Sequence, residues 1–414
     1  MRGTNLGILL ILAACDPGDV VLIAPDAGGP GAQVVSIRAI VDTPYAGIAE
    51  SLGWSNGVPG AQVRVHRMEE PYDAAYWTAA VADTTGVATF ADLLDGLYEV
   101  EVSRPLTAAE GAVANGARIL AGGRRMYLPT PRVEGVTVAP DHRGSLVFSE
   151  FGLNTPLPWE TGGTGYHEAK YFEVSNNSDT TIYLDGKYWG MGWDLNYDYT
   201  YWPCVQTLTV RADPEGIWTN HVFRFPGRGT DYALAPGDVA LIAKAAVDHR
   251  AVHPRLYDLR DANFEWGGAA NNPDVPNLEY VGLEWMPSFW PSSHEMPEFL
   301  SEPVDLQTLP RYVDPHSGKV WVRIPTALVL DAWTNPLDWT TQGVDLGLRP
   351  CLEEMHRSFE RLAGPAEANS DFDNGLSIQR RVLTVLPDGR KILQDANTSM
   401  VDFVKAARTP GWIP

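Results

Sequence analysis

Basic residues are in short supply: 31 Lys and Arg stand against 52 Asp and Glu, a formal net charge of −21 with a pI near 4.7. Non-specific nucleic-acid binding needs cationic surface to neutralise phosphates, so this balance argues against it. It argues equally against charge-driven docking on anionic lipid. The chain also has no HExxH, GxxxxGK[ST] or GxGxxG motif, which removes the recognisable zinc-peptidase and nucleotide-loop chemistries. Beyond the first residues, no apolar run reaches the roughly 20 residues that span a bilayer. Cysteine is scarce as well, with three in 414 residues: Cys15, Cys204 and Cys351.

What is abundant points one way. There are 39 Gly, 32 Pro and 14 Trp, a mixture suited to short strands and many turns more than to long helices. The length accommodates two or three domains at roughly 100–200 residues each.

The start reads MRGTNLGILLILAACDPGD. Arg2 opens it, Leu6 to Ala14 is apolar, and small residues precede Cys15. This resembles a bacterial lipoprotein signal with its lipobox. The resemblance implies removal of residues 1–14, acylation of Cys15 and a tether over 15–33. Acyl chains bury at about 0.8 kcal/mol per methylene, so a multiply acylated cysteine anchors a chain without a spanning helix. The expected location is the cell envelope, lipid-anchored, with the outer membrane as the leading reading; Asp16 after the cysteine leaves the inner membrane open. Cys204 and Cys351 then form an even pair that fits one disulfide in an exported chain, with two separate buried thiols as the alternative.

Alternation of apolar and polar residues between turn clusters predicts half-buried antiparallel strands. Val63 and Val65 alternate with Arg64 and His66; Tyr98, Val100 and Val102 alternate with Glu99 and Glu101; Asp83 to Gly86 and Leu93 to Gly96 are turns. The stretches GVPGAQVRV, DTTGVATF and LLDGLYEVEV resemble the carboxypeptidase regulatory-like domain, a transthyretin-like sandwich that acts as a non-catalytic spacer. Residues 34–140 are assigned to it. A short helix is expected within 106–122 and strands over 124–128 and 133–138.

From Leu146 a second set of runs begins. YFEV and TIYL flank a polar knot, Asn176-Asn177-Ser178-Asp179, which reads as a hairpin turn because Asn, Ser and Asp side chains bond nearby backbone. With Leu184-Asp185-Gly186, TDYALAPGDVALIA and the closing DANTSMVDF and TPG, residues 145–412 resemble the lamin-tail domain, an immunoglobulin-like sandwich, with insertions. The segments VDHR, YDLRDANFEWGG and NNPDVPNLEY are similar to an uncharacterised family of envelope lipoproteins built on this domain. The expected fold is therefore all-β: two antiparallel β-sandwich domains with long loops and little helix. Leu328 to Trp333 reads as a strand, and 351–362 has helical spacing.

Candidate sites are few. His249 and His253 lie four apart, but Pro254 follows and no second ligand motif is near; no metal is expected. Asp194-x-Asn196-x-Asp198 and Asp371-x-Asp373 open like calcium loops and then miss the required Gly and Glu positions. Aromatic clusters are the better lead. Trp189, Trp193, Tyr197, Tyr199 and Trp202 crowd one stretch, and Trp285 and Trp290 another, offering flat contact area for a glycan, a small ligand or a partner protein. Packing beneath long loops is the alternative. The leading function is a non-catalytic binding or assembly module of the envelope, accessory to an outer-membrane receptor, with no cofactor. A glycan-capturing surface protein and a hydrolase of hidden site are the alternatives.

The anchor is open to direct test. Globomycin is expected to block processing and labelled palmitate to enter the mature chain, whereas a Cys15→Ala variant should take up no label. Continued labelling of that variant would refute the assignment.

Overall fold

The computed structural model describes residues 34–413 except 55, 68–69, 71–73, 131, 142, 154–165, 192–214, 268–270, 284–296, 314–317, 319, 335–375 and 398. The signal and tether, all three cysteines, both calcium-like openings and the 351–362 stretch lie outside the described residues. The fold is all-β, with short helices only among those described.

Seven strands from Val35–Val41 to Glu134–Pro140 form one sheet. Its order is 77–81, 62–67, 96–105, 119–128, 134–140, 35–41, 87–90. Pairing is antiparallel except between Val35–Val41 and Glu134–Pro140, which run parallel. The expected alternation is visible in the packing: Val63, Val65, Tyr98, Val100 and Val102 share one core with Ile37, Val136 and Val138. Asp83 makes its turn by accepting the Thr85 and Val87 N–H groups at 2.8 and 3.1 Å. The expected helix is Ala108–Val113, started by a capping box between Thr107 and Glu110. The next strand begins at Ile119, earlier than the periodicity indicated.

The second unit begins at Leu146 and builds three layers. A six-stranded sheet has the order 264–265, 239–243, 171–176, 146–152, 376–380, 403–407. It is antiparallel apart from the parallel pairing of 239–243 with 264–265. A five-stranded sheet has the order 279–280, 221–224, 188–191, 297–301, 329–334. Phe148, Phe151, Phe172 and Ile242 of the first meet Trp189, Phe223, Leu300 and Trp333 of the second in one core. The opposite face of the five-stranded sheet, with Tyr188, Val222, Phe299 and Ala332, is covered by Ile217, Val322 and Ile324 of a three-stranded sheet. A two-layer expectation thus gains a third layer, because this middle sheet is apolar on both faces. The strand expected at 328–333 is Val329–Thr334.

The polar knot is a turn but closes no hairpin, because 171–176 and 182–183 pair in different sheets; its side chains explain the turn. Asn176 Nδ2 donates to the Thr180 and Leu234 carbonyls at 2.8 and 2.7 Å, and its Oδ1 accepts from Ser178. Asn177 pairs in both directions with the Leu393 backbone, at 3.1 and 2.8 Å. Both Asn side chains are buried and satisfied.

One charge stands inside the core. Arg380 is buried on the 376–380 strand, and donates to the Phe148 carbonyl at 2.7 Å, the Gln394 carbonyl at 2.9 Å and Asp331 at 2.5 Å. Asp395 and Asp402 stand 3.6 and 3.9 Å from the same guanidinium. Burial pushes the Asp331 carboxyl up, while the guanidinium opposes that shift. Removing the cation strands buried carboxylates in low dielectric. An Arg380→Leu variant is expected to lose about 3–5 kcal/mol of stability, read by urea unfolding. A loss below about 1 kcal/mol would contradict this role.

Candidate functional site at one pole of the second unit

Strand direction defines two poles in the second unit. The 146–152 strand leaves the first unit at Leu146 and runs to Gly152. Ile378 faces Phe151, so Leu376 lies at the Gly152 end. Trp333 stacks on Phe151 with centroids 3.9 Å apart, which puts Thr334 there too. Met191 and Glu298 are cross-strand partners, and Glu298 is opposite Trp333. Leu283 donates to the Asn220 carbonyl at 3.1 Å, beside His221 and its partner Met191. Glu265 pairs with Ala243, itself opposite Tyr171 and Gly152. Leu153, Met191, Gly267, Leu283 and Thr334 therefore all gather at this pole.

The described rim of this pole is rich in titratable groups. Tyr166 contacts His249 Nδ1 at 2.7 Å, and His249 Nε2 reaches the Ala245 carbonyl at 2.9 Å. A carbonyl can only accept, so Nε2 carries the proton and Nδ1 accepts from the tyrosine hydroxyl. Burial holds the His249 imidazole neutral by pushing its pKa down. Burial, then Glu168, pushes the Tyr166 hydroxyl up, so it stays a donor. Buried Lys244 donates to Glu168 at 2.8 Å. His167, half-buried beside Lys170 and Lys244, is pushed down to about 4, first by burial and then by those ammonium groups. Deeper in, the Trp189 indole donates to the buried Glu298 carboxylate at 3.1 Å, and His221 meets the Tyr280 hydroxyl at 3.3 Å. These are fixed hydrogen-bonding groups with their proton positions set by packing, an arrangement suited to recognition.

The sequence-derived candidates distribute unevenly. Trp189 is fully buried, its ring 4.4 Å from Phe172, 5.2 Å from Phe223 and 5.3 Å from Trp266. It serves the core, which corrects its reading as a ligand contact: an indole on the inner face of the middle sheet has no exposed surface. Trp193, Tyr197, Tyr199, Trp202, Trp285 and Trp290 lie outside the described residues, as do Cys204 and Cys351. His249 has both nitrogens engaged, so the His249–His253 spacing holds no metal. Among the described residues no group of three His, Cys, Asp or Glu is placed to hold a metal ion. Tyr166, His167, Glu168 and Lys244 went unnoticed in the sequence. Tyr166 and His249 are 83 residues apart, and no local spacing joins them.

The His167 shift has a sign. Its folded pKa lies below the ordinary value of 6.5, so the unfolded chain takes up a proton first. Stability is expected to fall as pH drops from 6.5 toward 4 and to level off below that. In a His167→Gln variant this part of the pH dependence should be missing from unfolding midpoints; an unchanged slope would contradict the shift.

Residues 235–410 match DUF4876, described as a protein of unknown function. A DUF4876 family protein from Bacteroides thetaiotaomicron is structurally similar, with a TM-score of 0.50 at 17% identity over 92% of this chain and 98% of that one. The likeness is one of fold. A candidate adhesin from Bacteroides ovatus overlaps 77% of this chain and 91% of its own at 8% identity, and a minor pilin from Streptococcus agalactiae overlaps 62% and 99% at 10%. Both score 0.17, too low to carry an argument. No curated protein matches the chain. Among the described residues no helix is long and apolar enough to cross a membrane, which says nothing of crossing by strands.

Proposed function

We propose that this protein is a non-catalytic, lipid-anchored module of the cell envelope that binds or assembles with a partner through the rim pole of its second unit. The observation that carries the reading is the set of fixed hydrogen-bonding groups at that one pole, Tyr166 on His249 and Lys244 on Glu168. A β-sandwich positions its variable segments at strand ends, and binding residues concentrate there because a rigid scaffold holds them. In this reading the first unit is the transthyretin-like spacer and the second the lamin-tail-type carrier. Cys15 is the lipid attachment site, Cys204 and Cys351 pair, and an outer-membrane protein is the preferred partner.

Glycan capture is the second reading, favoured by the aromatic density of the sequence over 193–202 and 285–290. Trp193, Tyr197, Tyr199, Trp202, Trp285 and Trp290 supply the flat faces in either case; Trp189 does not. Native lipidated protein, used as bait on gently solubilised envelopes, is expected to retain a stoichiometric membrane protein. A paired Trp202→Ala and Trp290→Ala variant should retain at least tenfold less. A glycan-array signal lost in that variant, with no retained protein, would replace the first reading by the second. Neither signal from correctly folded bait would overturn both.

A further inference from the structure

The connection between the two units is five residues long, 141–145, and a flexible hinge would leave its polar groups to solvent. Here every described position is held. Asp141 caps the first unit, its carboxylate accepting the Arg118 and Ile119 N–H groups at 2.7 and 2.8 Å. Arg143 reaches into the second unit, donating to the Asn177 carbonyl at 2.6 Å and to both Asp179 carboxylate oxygens at 2.7 and 2.9 Å. A β-carbon on Gly144 would stand 2.4 Å from an Asp395 oxygen, so this position is packed tight. The Ser145 carbonyl accepts the Asn177 N–H at 2.8 Å.

A second set of contacts crosses between the units beside the connection. Arg381 donates to both oxygens of Glu101 at 3.1 and 3.3 Å, and Arg64 of the first sheet stands 3.5 Å from the same carboxylate. Ala121, which pairs with Ala139 just before the connection, shares an apolar cluster with Ala396 and Val401 of the second unit. A chain joined by one covalent link can swivel; one whose link is also flanked by an ion pair and packed small side chains cannot do so without breaking both.

We infer that the two units form one rigid body, locked at an elbow in which the turn Asn176 to Asp179 is the latch and the Arg381–Glu101 bond the brace. This gives the polar knot a task beyond linking strands of two different sheets: Asn177 and Asp179 seize the incoming connection. Direction follows from the strands. Val35–Val41 runs parallel to Glu134–Pro140, which ends at the elbow, so the chain enters the first unit at the far end of a strand. Leu146–Gly152 then runs from the elbow to the rim pole. The N-terminal entry and the rim lie at ends of their units that both point away from the elbow. A membrane anchor upstream of Val35 would hold the rim clear of the surface; that consequence rests on the proposed anchor, whereas the lock does not.

Arg143 is itself a trypsin site, which makes the lock measurable in the full mature chain. Wild-type protein is expected to resist cleavage after Arg143 under native conditions. Asp179→Ala combined with Arg381→Ala should raise that cleavage rate at least tenfold, with buried Arg380 still protected, and leave two resistant fragments. Asp179→Glu should retain most of the protection. Wild-type cleavage as fast as in a peptide of the same sequence, a variant within twofold of wild type, or an equal rise at Arg380 from general unfolding would each overturn the inference.

Discussion

The second unit is organised around a buried guanidinium. Arg380 belongs to the six-stranded sheet, yet it bonds the Phe148 carbonyl of a neighbouring strand, the Asp331 carboxylate of the facing sheet and the Gln394 carbonyl of the closing turn. Three parts of the fold that apolar contact alone would let slide are thereby set in one register. Asp331 adds its own tie by accepting the Phe148 N–H at 2.7 Å. Asp402 continues the chain of bonds, taking the Ala396 N–H and the Gln394 side chain at 3.0 Å. A buried ion pair is weak support for stability measured against an apolar replacement. Its value lies in geometry, because only one arrangement of these segments satisfies every donor and acceptor. The Phe403 ring beneath the guanidinium, 4.5 Å away, completes the enclosure.

The same demand explains other acids that sit in strands and never meet solvent. Glu150 and Glu173 are cross-strand partners on the outer face of the six-stranded sheet, and both are buried. Burial and the adjacent Glu150 charge push the Glu173 carboxyl well up. The closing segment compensates them: Thr409 donates to Glu150 at 3.0 and 2.7 Å, Gly411 donates its N–H to Glu173, and the Tyr171 hydroxyl donates to Glu150. The Thr409-Pro410-Gly411 sequence is therefore a lid over a polar sheet face. Proline introduces no extra N–H between the two donors that are needed.

Those acids mark where sequence reading stops. Val63, Val65, Tyr98, Val100 and Val102 are legible, since a period of two assigns them to the core face whatever covers them. Glu99, Glu101, Glu150 and Glu173 alternate with apolar neighbours and read as solvent-facing, yet all four are buried. Periodicity tells which face a residue takes; whether that face is wet depends on segments hundreds of positions away. Arg381 covers Glu101 from 280 residues on, and Gly411 covers Glu173 from 238. Trp189 fails for the same reason in reverse: its local neighbourhood is aromatic and loop-like, but the 297–301 strand pairs beside it and the six-stranded sheet covers it. The knot at Asn176–Asp179 was legible as a turn because Asx bonding is local; its hold on Arg143 was not.

The proposed function is placed where this logic leaves room. At the elbow pole the turns are short and their polar groups are used up: Asp185 accepts the backbone N–H groups of Gly229, Asp231 and Tyr232, and Asp179 holds two arginines. Little there is left to meet a ligand. At the rim pole the strands 146–152, 188–191 and 329–334 end. The described groups of this pole, Tyr166, His249, Lys244 and Glu298, are held by bonds within the protein, so the foundation is stiff. A scaffold rigid at its base and permissive at one end can change what it binds without changing how it folds.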